Sequence, residues 1–306
     1  MKSVLVTGAS GFIGGHCLPL LVASGYEVHA VSNTSGRRSE RGVAWHRCNL
    51  LDAPQVEALL ANVRATHLLH LAWYAEPHKF WASAENVSWL QASANLVQAF
   101  ARHGGRRVVA AGSCAEYDWA GGHCSESSTP LRPATLYGAC KLSFQICLEA
   151  YCRQFGLTSA WGRVFFLYGP NEPQEKFVAS IILSLLRGQP ARCSQGDQVR
   201  DFLYVRDTAQ AFVTLLDSEA NGAMNIASSE PVSVAKVATR VAEKVGCLEL
   251  LELGALPARA GEPQMLTADN LRLRTETRWK KTYDLERGLD ETIAWWKAKL
   301  AASATV

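Results

Sequence analysis

The sequence predicts an α/β chain with a doubly wound parallel sheet, helices on both faces, and a smaller mixed α/β domain after it. Three observations carry this. Short apolar runs alternate with helical stretches from the start to about residue 166, a glycine-rich turn follows the first run, and the alternation loosens after Gly169-Pro170.

Residues 3–7 form the first short apolar run, a helix is predicted over 12–24, and the next strand covers 27–32. Further strands fall at 43–47, 67–72 and 106–111, with helices over 54–63 and 86–103 between them. A helix over 134–155 precedes a strand at 158–166. The longest irregular stretch, 119–133, carries the turn formers Gly121, Gly122, Pro130 and Pro133. The division expected is 1–168 for the first domain, with returns to it near 200–228, and 169–306 for the second.

Composition excludes several classes. With 48% hydrophobic and 19% charged residues the chain is ordinary and globular, and its net charge of +3 offers no basic arm for nucleic acid. Nine scattered cysteines without a Cys-x-x-Cys pair argue against a zinc site and favour a reducing cytoplasm; no metal is expected. A strand from Ser3 leaves no room for a signal peptide, and no apolar run reaches the ~20 residues of a membrane span.

Thr7-Gly8-Ala9-Ser10-Gly11-Phe12-Ile13-Gly14 sits between the first strand and the first helix. Glycines there let the backbone approach a pyrophosphate, whose charge settles at the helix N-terminus. This context predicts a Rossmann-type dinucleotide site holding Gly8, Ser10, Gly11, Phe12, Ile13 and Gly14. At the end of the second strand a NAD enzyme usually places a carboxylate on the adenosine ribose. This chain has Ser32 and Asn33, then Arg37, Arg38 and Arg41. A hydroxyl and guanidinium groups suit a 2′-phosphate, so NADP (as NADPH) is expected over NAD.

Tyr137 and Lys141 are four apart, on one helix face. A neighbouring ammonium and a cationic nicotinamide would stabilise the phenolate, and such a tyrosine can protonate a carbonyl oxygen as hydride reaches the carbon. Ser113, just past the strand at 106–111, completes the set by holding the same oxygen. The expected catalytic residues are Ser113, Tyr137 and Lys141.

With these motifs the chain resembles the extended short-chain dehydrogenase/reductase superfamily, also described as the NAD-dependent epimerase/dehydratase family, over nearly its whole length. The other matching pieces are His70-Leu71-Ala72, Tyr117, Arg163, Tyr168-Gly169-Pro170, Arg200-Asp201-Phe202, Val205-Arg206-Asp207, Asn225-Ile226, Leu285, Gly288-Leu289, Thr292 and Trp295. The resemblance implies a nucleotide-diphosphate sugar as substrate and a homodimer. It adds Asn49, Leu50, Leu71, Ala72, Trp73, Tyr137 and Lys141 to the cofactor contacts, and Cys114, Ala115, Phe166, Arg200 and Arg259 to the substrate side. Arg200 and Arg259 would meet phosphate.

Departures from the family pattern narrow the chemistry. Its 4,6-dehydratases carry Asp-Glu directly after the serine, where this chain has Cys114 and Ala115. An extended backbone would turn Glu116 away from that face. Trp89 and Phe166 stand where the family often has Asn, and Trp73, Trp81 and Trp119 offer further apolar walls. Plain hydride chemistry on a deoxygenated sugar is the expectation: NADPH-dependent reduction of a 4-keto-6-deoxy sugar nucleotide. The alternatives are an NAD-dependent 4-epimerase and, from another class, a non-catalytic NADP-binding redox sensor.

Overall fold

The computed structural model describes residues 2–33, 40–258 and 261–304. The chain begins with β1 (Ser3–Thr7), buried at every position as a strand covered on both faces must be. α1 (Phe12–Ala23), β2 (Glu27–Ser32), β3 (Val43–Arg47), α2 (Ala53–Val63), β4 (His67–His70), α3 (Glu85–Arg102) and β5 (Arg107–Ser113) follow. Next come the short β6 (His123–Cys124), α4 (Leu136–Phe155) and β7 (Thr158–Val164). Thr135 caps α4 by accepting the Gly138 amide at 3.1 Å, and left-handed Gly156 ends the helix, which fixes the register of Tyr137 and Lys141.

The strand predicted at 158–166 is two strands. β8 (Phe166–Tyr168) leaves the main sheet after Phe165, whose ring is buried in a cluster with Cys114, Tyr117 and Cys124. The rest comprises α5 (Phe177–Leu186), β9 (Ala191–Arg192), β10 (Val199–Tyr204), α6 (Val205–Asp217), β11 (Gly222–Ile226), β12 (Pro231–Ser233) and α7 (Val234–Val245). β13 (Leu251–Glu252), β14 (Met265–Ala268), α8 (Leu271–Glu276) and α9 (Leu285–Ala304) complete it.

The main sheet is parallel throughout, in the order β11-β7-β5-β4-β1-β2-β3. Its order reverses between β1 and β4, so the carboxyl ends of those two strands frame the crevice where a doubly wound sheet binds its ligand. A smaller mixed sheet runs β12-β10-β14-β6, with β8 also paired to β10. Among the described residues no helix is long and apolar enough to cross a membrane.

One buried cation shows how the layers are tied. Arg107, at the start of β5, donates to the carbonyls of Leu215, Leu216 and Ala220 and so closes the C-terminal end of α6.

Candidate active site

The glycine turn forms a cradle that side chains would fill. A Cβ on Gly8, whose φ is +68°, would stand 2.7 Å from the Ala72 amide nitrogen, and one on Gly14 would stand 2.2 Å from the Gly8 carbonyl oxygen. The first turn of α1 has no side-chain cap, so its amides remain for an anion. This arrangement fits a dinucleotide pyrophosphate. Nearby, the Ser93 hydroxyl donates to the Trp89 carbonyl at 2.7 Å and therefore accepts from His70 Nε2 at 2.9 Å. That leaves His70 Nδ1 to accept from the Thr7 hydroxyl at 2.7 Å. Burial pushes His70 down to about 3, so the imidazole is neutral and pins β4 to β1 beside Leu71 and Ala72.

The other expected cofactor contacts lie around this crevice. Ser32 is half-buried, Asn33 is exposed, and Arg47 on β3 is the register partner of Ser32. Arg37 and Arg38 lie outside the described residues. Asn49 accepts the Leu51 amide at 3.2 Å, whereas the Leu50 side chain is buried in the core against α2 and offers a ligand only its backbone. Ser10 is exposed, and Phe12 and Ile13 are half-buried at the start of α1.

Ser113 and Tyr137 are brought together, the Ser113 hydroxyl near enough to favour the phenolate. Burial raises the phenol well above its ordinary range, with the Ser113 hydroxyl opposing, so Tyr137 is neutral at rest. The rings of Phe80 and Trp81 meet its ring edge-on, centroids 4.9 and 5.7 Å away. Lys141 is buried; its ammonium donates to the Ala111 carbonyl at 2.8 Å and lies 3.9 Å from the Trp73 ring centroid. Burial brings Lys141 down to about 7, against the attraction of Glu116.

The segment after Ser113 is not extended, contrary to the expectation from sequence. Cys114–Glu116 is a 3₁₀ turn closed by a capping box: the Ser113 hydroxyl accepts the Ala115 amide at 3.2 Å, and Glu116 accepts the Ser113 amide at 2.7 Å. Glu116 is thereby drawn under the sheet, where it also accepts from Trp161 and from Arg163 at 2.6 Å. Arg163 donates on to Tyr117 and Gln145, and the Tyr117 hydroxyl to Asn225. Burial raises the Glu116 carboxyl, and Arg163 acts against it. Cys114 and Ala115 are buried, the thiol pushed up to about 12 by burial, and Ala115 presses its carbonyl against Gly138. Ser-x-x-Glu was the signal for this turn.

On the substrate side, Arg200 is held by Glu262 at 2.8 Å, rather than standing free for phosphate, with its guanidinium over the Phe166 ring at 5.4 Å. Arg259 lies outside the described residues. Trp119 donates its indole N–H to the Cys114 carbonyl at 2.8 Å and meets Trp81 edge-on. It also walls an open cleft of about 460 Å³ shared with Gly121, Gly122, Gly261, Gln264 and Met265. Trp89 packs into the main core. Beyond Pro170, Glu172 is buried and accepts the Ala179 amide at 3.2 Å; burial pushes its carboxyl up to about 8, with Lys176 opposing.

Residues 4–227 match the model of the NAD dependent epimerase/dehydratase family. Over 99% of its length the chain is 25% identical to UDP-glucuronic acid decarboxylase 1 of Xenopus tropicalis, covering 74% of that protein. Two solved structures share the fold. UDP-glucose 4-epimerase of Thermus thermophilus, in complex with NAD, is 28% identical with a TM-score of 0.85, covering 97% of this chain and 99% of that one. MoeE5, in complex with UDP-glucose and NAD, is 31% identical with a TM-score of 0.85, covering 98% and 100%.

Proposed function

The chain belongs to the NAD dependent epimerase/dehydratase family, and we propose that within it the chain moves hydride at a single ring carbon of a nucleotide-linked sugar, with 4-epimerisation as the net reaction. The observation that carries this is the commitment of Glu116. The carboxylate nearest Ser113 in sequence is buried on Arg163, and Cys114 and Ala115 supply no acid, so the turn offers no group to expel water. The 4-epimerase among the solved relatives supports the same reading.

The dinucleotide, when bound in the Gly8–Gly14 cradle, supplies the hydride acceptor and donor. Tyr137 takes the proton of the sugar hydroxyl as its carbon is oxidised, and returns it when the carbon is reduced. Ser113 holds that oxygen in both steps. Lys141 supplies positive charge to the site whenever it is protonated. Inversion requires the ketone to present its other face between the steps.

A second reading, NADPH-dependent reduction of a 4-keto-6-deoxy sugar nucleotide, is favoured by one feature. The end of β2 carries Ser32 and Asn33 in place of a carboxylate, with Arg47 beside Ser32 and Arg37 and Arg38 next in sequence. The solved relatives named above hold NAD, which favours the first reading.

Offering a nucleotide hexose with NAD, and separately a 4-keto-6-deoxy sugar nucleotide with NADPH, and reading the products by mass spectrometry and proton NMR separates the outcomes. Epimerisation leaves the mass unchanged and alters the sugar's proton couplings; reduction of the keto substrate adds two hydrogens and consumes NADPH. Tyr137→Phe should lower either turnover by about 10²–10⁴-fold while keeping dinucleotide binding. Loss of one water from the product would reject both readings.

A further inference from the structure

Lys141 is almost wholly buried, yet an ammonium has three hydrogens to place and the one hydrogen bond seen for it goes to the Ala111 carbonyl. What faces the charge otherwise is the indole of Trp73, 3.9 Å from ring centroid to nitrogen, with Trp161 more distant at 6.0 Å. An aromatic face attracts a cation most strongly where water is excluded. The indole is itself fixed: its N–H donates to Asn86 Oδ1 at 2.9 Å. Asn86 is fully buried and donates its two amide hydrogens to the carbonyls of Phe80 (2.6 Å) and Ser83 (2.9 Å). The same segment touches the other catalytic side chain, because Phe80 and Trp81 pack on Tyr137 and the Trp81 carbonyl accepts the Tyr137 amide at 3.1 Å.

We propose that Trp73 is a positioning residue, its indole face holding the Lys141 ammonium charged and in place at the end of β5 while Asn86 holds the indole. Among the described residues the other charged or titratable groups around Lys141 are Glu116 after β5, Arg163 of β7 paired with it, neutral His70 of β4, and Tyr137 one turn back on α4. Of these, Glu116 is the one that attracts the ammonium, and it is shared with Arg163. Trp73 therefore supplies attraction that no unshared carboxylate provides. The inference rests on reading Lys141 as catalytic for its functional meaning, but not on which sugar reaction occurs.

The test is NMR of lysine-labelled protein, with the Lys141 signal identified as the one lost in Lys141→Met. In the unaltered protein its side-chain protons should be displaced upfield by the Trp73 ring current. Trp73→Leu, which keeps the site dry, should lower the Lys141 titration midpoint by about one pH unit, and Trp73→Phe should largely restore it. Turnover that needs the ammonium should then be lost at correspondingly lower pH in Trp73→Leu. Ordinary Lys141 shifts in the unaltered protein overturn the proposal even if the leucine variant does not fold. So does a midpoint that stays put or rises in that variant. A lowered midpoint with an unmoved pH–turnover profile supports the Trp73 contact and removes Lys141 from the proposed reaction instead.

Discussion

Two buried arginines, one under each sheet, look alike and differ in what their partners can do. Arg163 on β7 and Arg200 on β10 are each 2% exposed and bridged to one glutamate, at 2.6 and 2.8 Å. Glu116, partner to Arg163, is 0% exposed and also tied to Ser113 and Trp161; Glu262, partner to Arg200, is 33% exposed and follows the segment containing Arg259. The first pair is sealed on every side, so its charges act only on buried neighbours: the turn they hold, Tyr117, Gln145 and the Lys141 ammonium. The second is open on one side, where an anionic ligand could take the carboxylate's place at the guanidinium. Burial of the arginine is the same in both pairs; exposure of its partner is what differs.

Substitutions test that contrast. Arg163→Met leaves Glu116 buried without its cation and should cost about 3–5 kcal/mol of stability, read from urea unfolding. Replacing Arg163 and Glu116 together with apolar residues should recover much of that, while loosening the Ser113 turn and lowering turnover. Arg200→Met should cost clearly less stability, because Glu262 reaches water. Its effect should fall on substrate instead, raising KM for a nucleotide sugar by about 10–100-fold, or 1.4–2.7 kcal/mol, with little change in kcat. Equal stability losses with an unmoved KM would make the two pairs the same kind of object and end the comparison.

Much of the main sheet was legible because each strand's burial is written in its own residues: β1, β2 and β3 match the predicted bounds, and the glycine cradle is local to seven residues. Ser113 and Tyr137 were legible as types and the structure joins them. What escaped was set by partners far along the chain. The break between β7 and β8 depends on Phe165 finding Tyr117 and Cys114, and the pairing of Arg200 with Glu262, 62 residues away, has no mark in the sequence around either residue. Arg107 carries no sequence mark of the helix end it closes, since its acceptors are backbone carbonyls. The turn at Cys114–Glu116 is marked by Ser-x-x-Glu, but the residues running on from β5 are equally compatible with a continued strand.

Glu172 makes folding a proton-uptake reaction. Burial holds its carboxyl near 8, whereas in the unfolded chain it would titrate near 4.3. Between those values the native state binds a proton that the unfolded state does not, so stability is full below the lower value and is lost as pH rises through the upper one. The slope from this one group is at most about 1.4 kcal/mol per pH unit, and Glu172→Gln should flatten it in unfolding curves collected from pH 5 to 9. Calorimetry in buffers of different ionisation enthalpy would show the same event as heat. Near neutrality, then, the turn after Gly169-Pro170 is assembled by drawing hydrogen ions from its surroundings, and an alkaline medium withholds them.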